Sequence, residues 1–275
     1  MKVLGGSSRA SVLTLRKSLT QTVEKQSAVD IAVFAKDLFT ILSVLSNSIG
    51  VRRALTDNAR DASAKAELIA NLFGKNINSQ AQSLLAQAAS LRWSSPGEIA
   101  DAIENLAVEA EAAVADKNGE LEKLENELFD FARVLRANPE LRQALNTSAD
   151  TDEGKISLLE SVVTNKYANP TLHLLRRAVS LRRGRSIDAT LATYSHYVSA
   201  QKNRLVAHVK SAIKLSDDQL AKLVTGLSKQ MGREVHVNIE IDPKVLGGIS
   251  VRYADDVIDG TIVNRLTQAG RALVS

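Results

Sequence analysis

The sequence predicts a mainly α-helical protein, with two duplicated helical-bundle domains followed by a small α/β C-terminal domain. Three observations predict this fold class. Apolar residues recur at helical spacing in two runs about 90 residues apart. After residue 204 the apolar residues alternate with a period of two, as in a β-strand. Helix breakers are sparse, with 14 Gly and 4 Pro in 275 residues, so long helices are not interrupted.

The first helical copy is assigned to residues 1–118. Its clearest helix carries an apolar stripe with residues three and four positions apart: Ile31, Phe34, Leu38, Ile41 and Leu45. Asp61 precedes a further periodic segment and suits a helix N-cap, and Gly74 suits a helix end. Each copy is expected to form a bundle of five or six short helices.

The second helical copy is assigned to residues 119–204. It repeats the same spacing with Leu121, Leu124, Leu128, Phe131 and Leu135. The order of the following segments also matches, since 51–55 resembles 141–145 and 64–69 resembles 154–159. A period this long with matched order predicts duplication of a helical domain rather than a solenoid of small units.

Opposite charges are concentrated in different segments of the helical region. The net charge is +4, but the charged residues within 98–130 are almost all acidic, and all five charges within 176–185 belong to Arg. We interpret this as complementarity within the chain or toward a partner. Carboxylates along the acidic helices are expected on a solvated face, and the stretch that ends the first copy is a candidate docking face for a basic partner. A nucleic-acid patch is disfavoured because stacking aromatic residues are absent.

The α/β domain is assigned to residues 205–275. Alternation over 205–214 predicts a half-buried strand, and Ser216 caps a helix with Leu220, Leu223, Val224, Leu227 and Met231 at helical spacing. Two strands follow over 235–242 and 249–252, and Gly247-Gly248 is interpreted as a hairpin turn between them. An amphipathic helix from about 261 to 272 completes the domain.

Motifs for catalysis and for metal binding are absent from the sequence. There is no Cys, no His-Glu-x-x-His, no Gly-x-x-x-x-Gly-Lys-Ser/Thr loop and no Gly-x-Ser-x-Gly elbow. We therefore expect no catalytic, cofactor-binding or metal-binding residues, and no cofactor. No apolar run approaches the ~18 residues of a membrane span, so the protein is expected to be soluble or peripheral.

The C-terminal region contains a characteristic set of residues: Ile241, Asp242, Val245, Gly247, Gly248, Ile249, Val251 and Arg252. These residues stand at the signature positions of the δ subunit of F-type ATP synthase, called OSCP in mitochondria, and the region resembles that family. Ala254 departs from the residues usual at its position. The second copy resembles the family's N-terminal domain, most clearly at Asn138-Pro-Glu-Leu-Arg142, and the first copy resembles the extra domain of a duplicated bacterial form.

The resemblance implies a non-catalytic peripheral-stalk subunit, or stator, of the proton-translocating ATP synthase. It implies that the helical domain binds N-terminal segments of the α subunits and that the C-terminal domain binds b-type stalk subunits. One copy per complex, on the cytoplasmic face of the cell membrane and attached only through the complex, is expected. Candidate contact residues are Leu84, Leu85 and Ala88 in the first copy, Leu174, Leu175 and Ala178 in the second, and Val251, Ile262 and Leu266 in the last domain.

An alternative hypothesis is a generic helical adaptor, associated with nucleic acid through Arg176 to Arg185. Steeply salt-dependent binding of RNA or DNA would support it.

Overall fold

A computed structural model of the chain describes residues 5–147, 151–163, 166–201, 205–213, 215–231, 235–242, 249–253 and 256–259. The chain divides into two compact units, residues 1–198 and 199–275. The first unit is helical and the second contains a four-stranded sheet. The predicted fold class, mainly α with a small C-terminal α/β part, is confirmed.

Helices α1 to α11 account for most of the described residues of the helical unit. Their N-caps include Ser27, Ser48 and Asn78, whose side chains accept hydrogen bonds from the backbone N–H groups of the first turn. The bounds are α1 Gly6–Lys25, α2 Ala28–Asn47, α3 Ile49–Thr56, α4 Ala62–Phe73, α5 Ser79–Ser90, α6 Glu98–Lys117, α7 Leu121–Ala137, α8 Pro139–Asn146, α9 Asp152–Val163, α10 Asn169–Ser180 and α11 Ile187–Ala200.

Helices α2–α6, here called the first repeat, correspond in order to α7–α11, the second repeat. Their lengths are 20, 8, 12, 12 and 20 residues against 17, 8, 12, 12 and 14. Leu55 and Leu145, 90 positions apart, are both fully buried. This match supports the proposed duplication. The buried side chains of both repeats form one continuous core, and the assignment of two separate domains stays a prediction.

The second unit contains one helix, α12 Asp217–Met231, among its described residues, and a mixed sheet. The strands are β1 Leu205–Ser211, β2 Val235–Ile241, β3 Ile249–Tyr253 and β4 Asp256–Asp259, in the spatial order β2-β1-β3-β4. Strand β1 pairs in parallel with β2 and antiparallel with β3, which pairs antiparallel with β4. A small core of Val209, Leu227, Val235 and Val251 lies between the sheet and α12.

The interpretation of β2 and β3 as the two arms of a hairpin was wrong. Strand β1 lies between them and pairs with both. Strands β1 and β2 are parallel, so the chain must cross over between them, and helix α12 makes this connection. The hairpin of this sheet is instead β3–β4, with Tyr253 opposite Asp256. Gly247-Gly248 and the helix predicted over 261–272 lie outside the described residues.

Candidate protein interaction site

Helix α6 lies at the centre of the helical unit. Seventeen of its 20 residues are buried, and it packs against α1, α2, α7 and α10. A helix that is buried on all sides needs small apolar residues, and α6 supplies seven Ala. Its carboxylates are buried as well, so each of them requires a partner inside the protein.

Two carboxylates of α6 hold α1 in place. Glu109 accepts three hydrogen bonds from Arg16, from Nε to Oε1 at 3.0 Å and to Oε2 at 2.9 Å, and from Nη2 to Oε1 at 2.5 Å. Burial raises the pKa of Glu109, and the hydrogen bond and charge of Arg16 oppose that rise. Glu98 accepts hydrogen bonds from Ser8 Oγ and from the backbone N–H of Gly5, so a negative charge lies at the N-terminus of α1.

Further carboxylates of α6 bind the loop between α10 and α11. Arg183 Nη1 lies 2.7 Å from Asp101 Oδ1 and 3.0 Å from Glu104 Oε2. Arg185 forms an ion pair with Glu104, and the hydroxyl of Tyr194 donates to the same carboxylate at 3.3 Å. Glu104 is only 1% exposed, so two guanidinium groups and a phenol surround a charge that water does not reach.

The expectation that the acidic stretch has a solvated carboxylate face was therefore wrong for α6. Glu98, Glu104, Glu109 and Glu111 are all buried, because helices cover α6 on every side. The same residues do not form an exposed docking face for a basic partner. The complementarity of acidic and basic segments is found within the chain, where Asp101 and Glu104 pair with Arg183 and Arg185.

The arginines of 176–185 all have intramolecular partners. Arg176 pairs with Glu160 at 2.9 Å, and Arg182 donates to the carbonyl oxygens of Asn146 and Thr147. The Arg177 guanidinium lies 5.2 Å from the ring centroid of Phe39, where burial lowers its pKa. With Arg183 and Arg185 on α6, the segment does not offer the free cations that a nucleic-acid surface requires.

Buried charges fix helix α5 of the first repeat at both ends. Asp37 accepts from the backbone N–H of Asn78 at 2.7 Å, just before α5, and Lys65 Nζ donates to the carbonyl of Ala89 near its end. Each charge is opposite in sign to the helix dipole at its end, so both stabilise α5. Glu127 accepts from the backbone N–H of Ala168 at 2.9 Å, ahead of α10. The same contact thus recurs at the N-terminus of α10, the helix of the second repeat that corresponds to α5.

The six contact residues predicted on α5 and α10 all lie in the core. Leu84 is 4% exposed, and the other five, Leu85, Ala88, Leu174, Leu175 and Ala178, have no exposed surface. A partner would reach them only if neighbouring helices moved apart, and their role in binding stays a prediction. A charge at Leu174 would disrupt the core, so exposed positions make sharper tests.

The predicted residues of the C-terminal domain are only partly described. Val251 lies in the small core of the second unit, and Ile241 ends β2 with 55% of its surface exposed. Asp242 donates its backbone N–H to the carbonyl of Ser211, and Ile249 opens β3. Arg252 lies within β3. Val245, Gly247, Gly248, Ile262 and Leu266 lie outside the described residues.

Large exposed apolar side chains are a feature that the sequence analysis did not predict. In the described part of the helical unit, every such residue lies on α1–α4: Leu13, Val29, Val33, Ile49 and Leu72. Leu13 is 59% exposed and, with Arg16, Lys17 and Thr20 on the same side of α1, lines a shallow depression that is open to solvent. Val29 and Val33 are four positions apart on α2 and lie off its buried apolar stripe. This second apolar spacing was the signal in the sequence that could have indicated an exposed apolar site.

The described residues contain no group of three or more His, Asp or Glu that could hold a metal ion. Nor does this part of the chain contain a helix that is both long enough and apolar enough to cross a membrane.

Known proteins similar to this chain match it along its length. The sequence model of the ATP synthase delta (OSCP) subunit matches residues 108–273. The chain is 38% identical over 275 residues to ATP synthase subunit delta of Streptomyces coelicolor, with all of both chains covered. It is also 38% identical to the same subunit of Kineococcus radiotolerans, over 98% of this chain and 97% of the relative. The chain belongs to the ATP synthase delta (OSCP) subunit family.

Family membership makes the chain a structural subunit of ATP synthase, for which no catalytic role is indicated. A chain in the cryo-EM structure of the Toxoplasma gondii mitochondrial ATP synthase hexamer aligns with a TM-score of 0.41 and 21% identity. That alignment covers 62% of this chain and 97% of the other.

Proposed function

We propose that this delta (OSCP) family subunit is a stator of the peripheral stalk, which links the catalytic head of ATP synthase to b-type stalk subunits. Its helical unit binds N-terminal helical segments of the α subunits, and its C-terminal unit binds the stalk. The observation that supports this proposal most strongly is the 38% identity to subunit delta over the whole chain. We further propose that each complex contains one copy of this subunit, and that its partners hold it at the cytoplasmic face of the membrane.

The function is mechanical rather than chemical. A stator subunit must hold the head against the torque of the rotor, so it needs a stiff body and extended contacts rather than a substrate pocket. The buried ion pairs of α6 and the charged groups at the ends of α5 give the helical unit fixed internal geometry. No nucleotide or proton site is needed within the chain.

We assign the partner-helix contact to the apolar surface of α1–α4. Exposed Leu and Val are unfavourable in water, and in the described part of the helical unit the large exposed apolar side chains all lie on α1–α4, which makes these helices the candidates for cover by a partner. The basic residues Arg9, Lys17 and Lys25 of α1 against the single Glu24 favour a partner helix that carries acidic residues beside its apolar face. The described surface of the second repeat shows charged and polar groups instead.

The proposal is tested by a tagged pull-down from gently solubilised membranes, with the recovered proteins identified by mass spectrometry. Recovery of the α, β and b-type subunits is the expected result. Leu13→Asp should reduce recovery of the α subunit about tenfold or more, because one buried Leu contributes roughly 1.5–3 kcal/mol. The matched control is Ala192→Asp, an exposed position on α11.

The outcomes separate the two parts of the proposal. Failure of the folded wild-type chain to recover any of these subunits would reject the stator function. Equal recovery by Leu13→Asp and Ala192→Asp would reject only the assignment of the contact to α1.

A further inference from the structure

The loop between α10 and α11, residues 181–186, has an unusual backbone at the residue that contacts α6. Arg183 has a φ of +54°, in the left-handed region that non-glycine residues rarely adopt, and Gly184 follows with a φ of +78°. Left-handed backbone at a bulky residue is unfavourable and persists where surrounding contacts require it. Here it accompanies the ion pairs of Arg183 with Asp101 and Glu104.

Glu104 makes these loop contacts mutually dependent. Its buried carboxylate binds Arg183, Arg185 and Tyr194 together, so the loss of one donor leaves the remaining groups poorly satisfied in a dry environment. Such a contact is either fully made or broken, because partial separation leaves a buried charge unpaired. The loop therefore behaves as a two-state fastening rather than as a sliding contact.

Two cation–π contacts join the helices that precede α6 directly to the second repeat. Arg16 of α1 lies 5.8 Å from the ring centroid of Tyr197 on α11, while its guanidinium also binds Glu109 of α6. Phe39 of α2 lies under Arg177 of α10. A rotation of one repeat against the other would break these contacts as well as the loop.

We propose that these contacts lock the two helical repeats into one rigid body, with the α10–α11 loop as the latch that fastens the second repeat to α6. Duplication then lengthens a single stiff lever rather than adding a hinged module. The inference concerns the geometry of the free chain, so it goes beyond the stator function and does not depend on it.

The test is a distance measurement by double electron–electron resonance on the isolated full chain. Spin labels are attached to Ser83→Cys on α5 and Ser157→Cys on α9, two exposed positions, and the chain has no other cysteine. We expect a single narrow distance distribution in the otherwise wild-type chain. Glu104→Gln should broaden it or add a second distance, whereas Ser11→Ala on α1 should leave the width unchanged.

A broad or bimodal distribution in the otherwise wild-type chain would overturn the proposal directly, without any latch variant. If Glu104→Gln loses its helical circular dichroism, Arg183→Gln replaces it, since that variant leaves Arg185 on Glu104. An unchanged narrow distribution in a folded latch variant would show that the latch does not hold the repeats together. Because no partner is present, failure of this test leaves the stator proposal untouched.

Discussion

Two loops at equivalent places in the two repeats make the same contact with different chemistry. In the first repeat, residues 91–97 between α5 and α6 pack on α1, where Ser11 donates to the carbonyl of Arg92 at 2.6 Å and Ser8 accepts from the N–H of Ser94 at 2.8 Å. In the second repeat, residues 181–186 pack on α6 through ion pairs with Asp101 and Glu104. Ser11 and Asp101 are 90 positions apart.

The difference shows that the geometry of a repeat can persist while its chemistry changes. Serine hydroxyls lose little on leaving water, and each bond returns a modest stabilisation. Buried carboxylates are expensive to desolvate unless every charge is paired, so the ionic loop is specific and intolerant of substitution. Helix α6 precedes the second repeat and receives its loop, as α1 does for the first repeat. It is therefore both the last helix of the first repeat and the packing partner of the second.

The largest expected effect comes from Glu104→Gln. The change leaves the Arg185 guanidinium without its carboxylate in a buried site, and breaking one partner of such a cluster costs about 3–5 kcal/mol. The free energy of unfolding from urea titration, followed by circular dichroism, measures the loss. A loss below about 1 kcal/mol would mean that the ionic loop is no more demanding than the neutral one.

The matched control for this variant is Ser11→Ala in the neutral loop. It removes one hydrogen bond to Arg92 and should lower the free energy of unfolding by about 1 kcal/mol. An equal loss in both variants would remove the proposed difference between the loops.

A smaller change in the free energy of unfolding is expected from Tyr197→Phe. Tyr197 lies on α11 beside Arg16, which also binds Glu109 of α6, so this variant extends the comparison to a second contact of the second repeat. Burial raises the pKa of Tyr197 to about 12. Nearby carboxylates add to the rise and Arg16 opposes it. The pKa of Tyr197 in the folded chain lies above its unfolded value near 10. The stabilisation from the protonated hydroxyl is therefore fully present below pH 10 and is lost as the pH rises toward 12.

Tyr197→Phe should therefore lose less stability than the wild type between pH 10 and pH 12, by about 2.7 kcal/mol for a shift of two pKa units. Urea titrations at several pH values in this range measure the difference. Parallel pH profiles for the two proteins would contradict the buried position of this phenol.

The sequence predicted those helices and strands whose apolar residues recur at a regular spacing. The apolar stripes of α2 and α7 are buried as expected, and β1, α12, β2 and β3 form where alternation and the Ser216 cap indicated. Helix α1 fits the expected five or six helices of the first copy, but no residues were assigned to it, because Ser8 and Ser11 occupy two of its six buried positions and weaken its apolar pattern. Strand β4 was missed because it has only four residues, with Asp at both ends.

The interaction site was harder to predict from the sequence than the fold. Glutamates at helical spacing normally face water, and only the packing of four helices around α6 shows that those of α6 do not. The contact residues chosen on α5 and α10 follow the apolar stripe, which marks the core, whereas exposed residues such as Leu13 lie off it. A single sequence does not distinguish an apolar residue of the core from an exposed apolar residue that binds a partner protein.

The most direct test of the stator account is photocrosslinking in intact membranes, with p-benzoylphenylalanine placed at Leu13 or, as a control, at Lys123 on the charged outer face of α7. The account predicts an adduct with the α subunit from position 13 and none from position 123. An α-subunit adduct from position 123 alone, or no adduct with any ATP synthase subunit from either position, would contradict it.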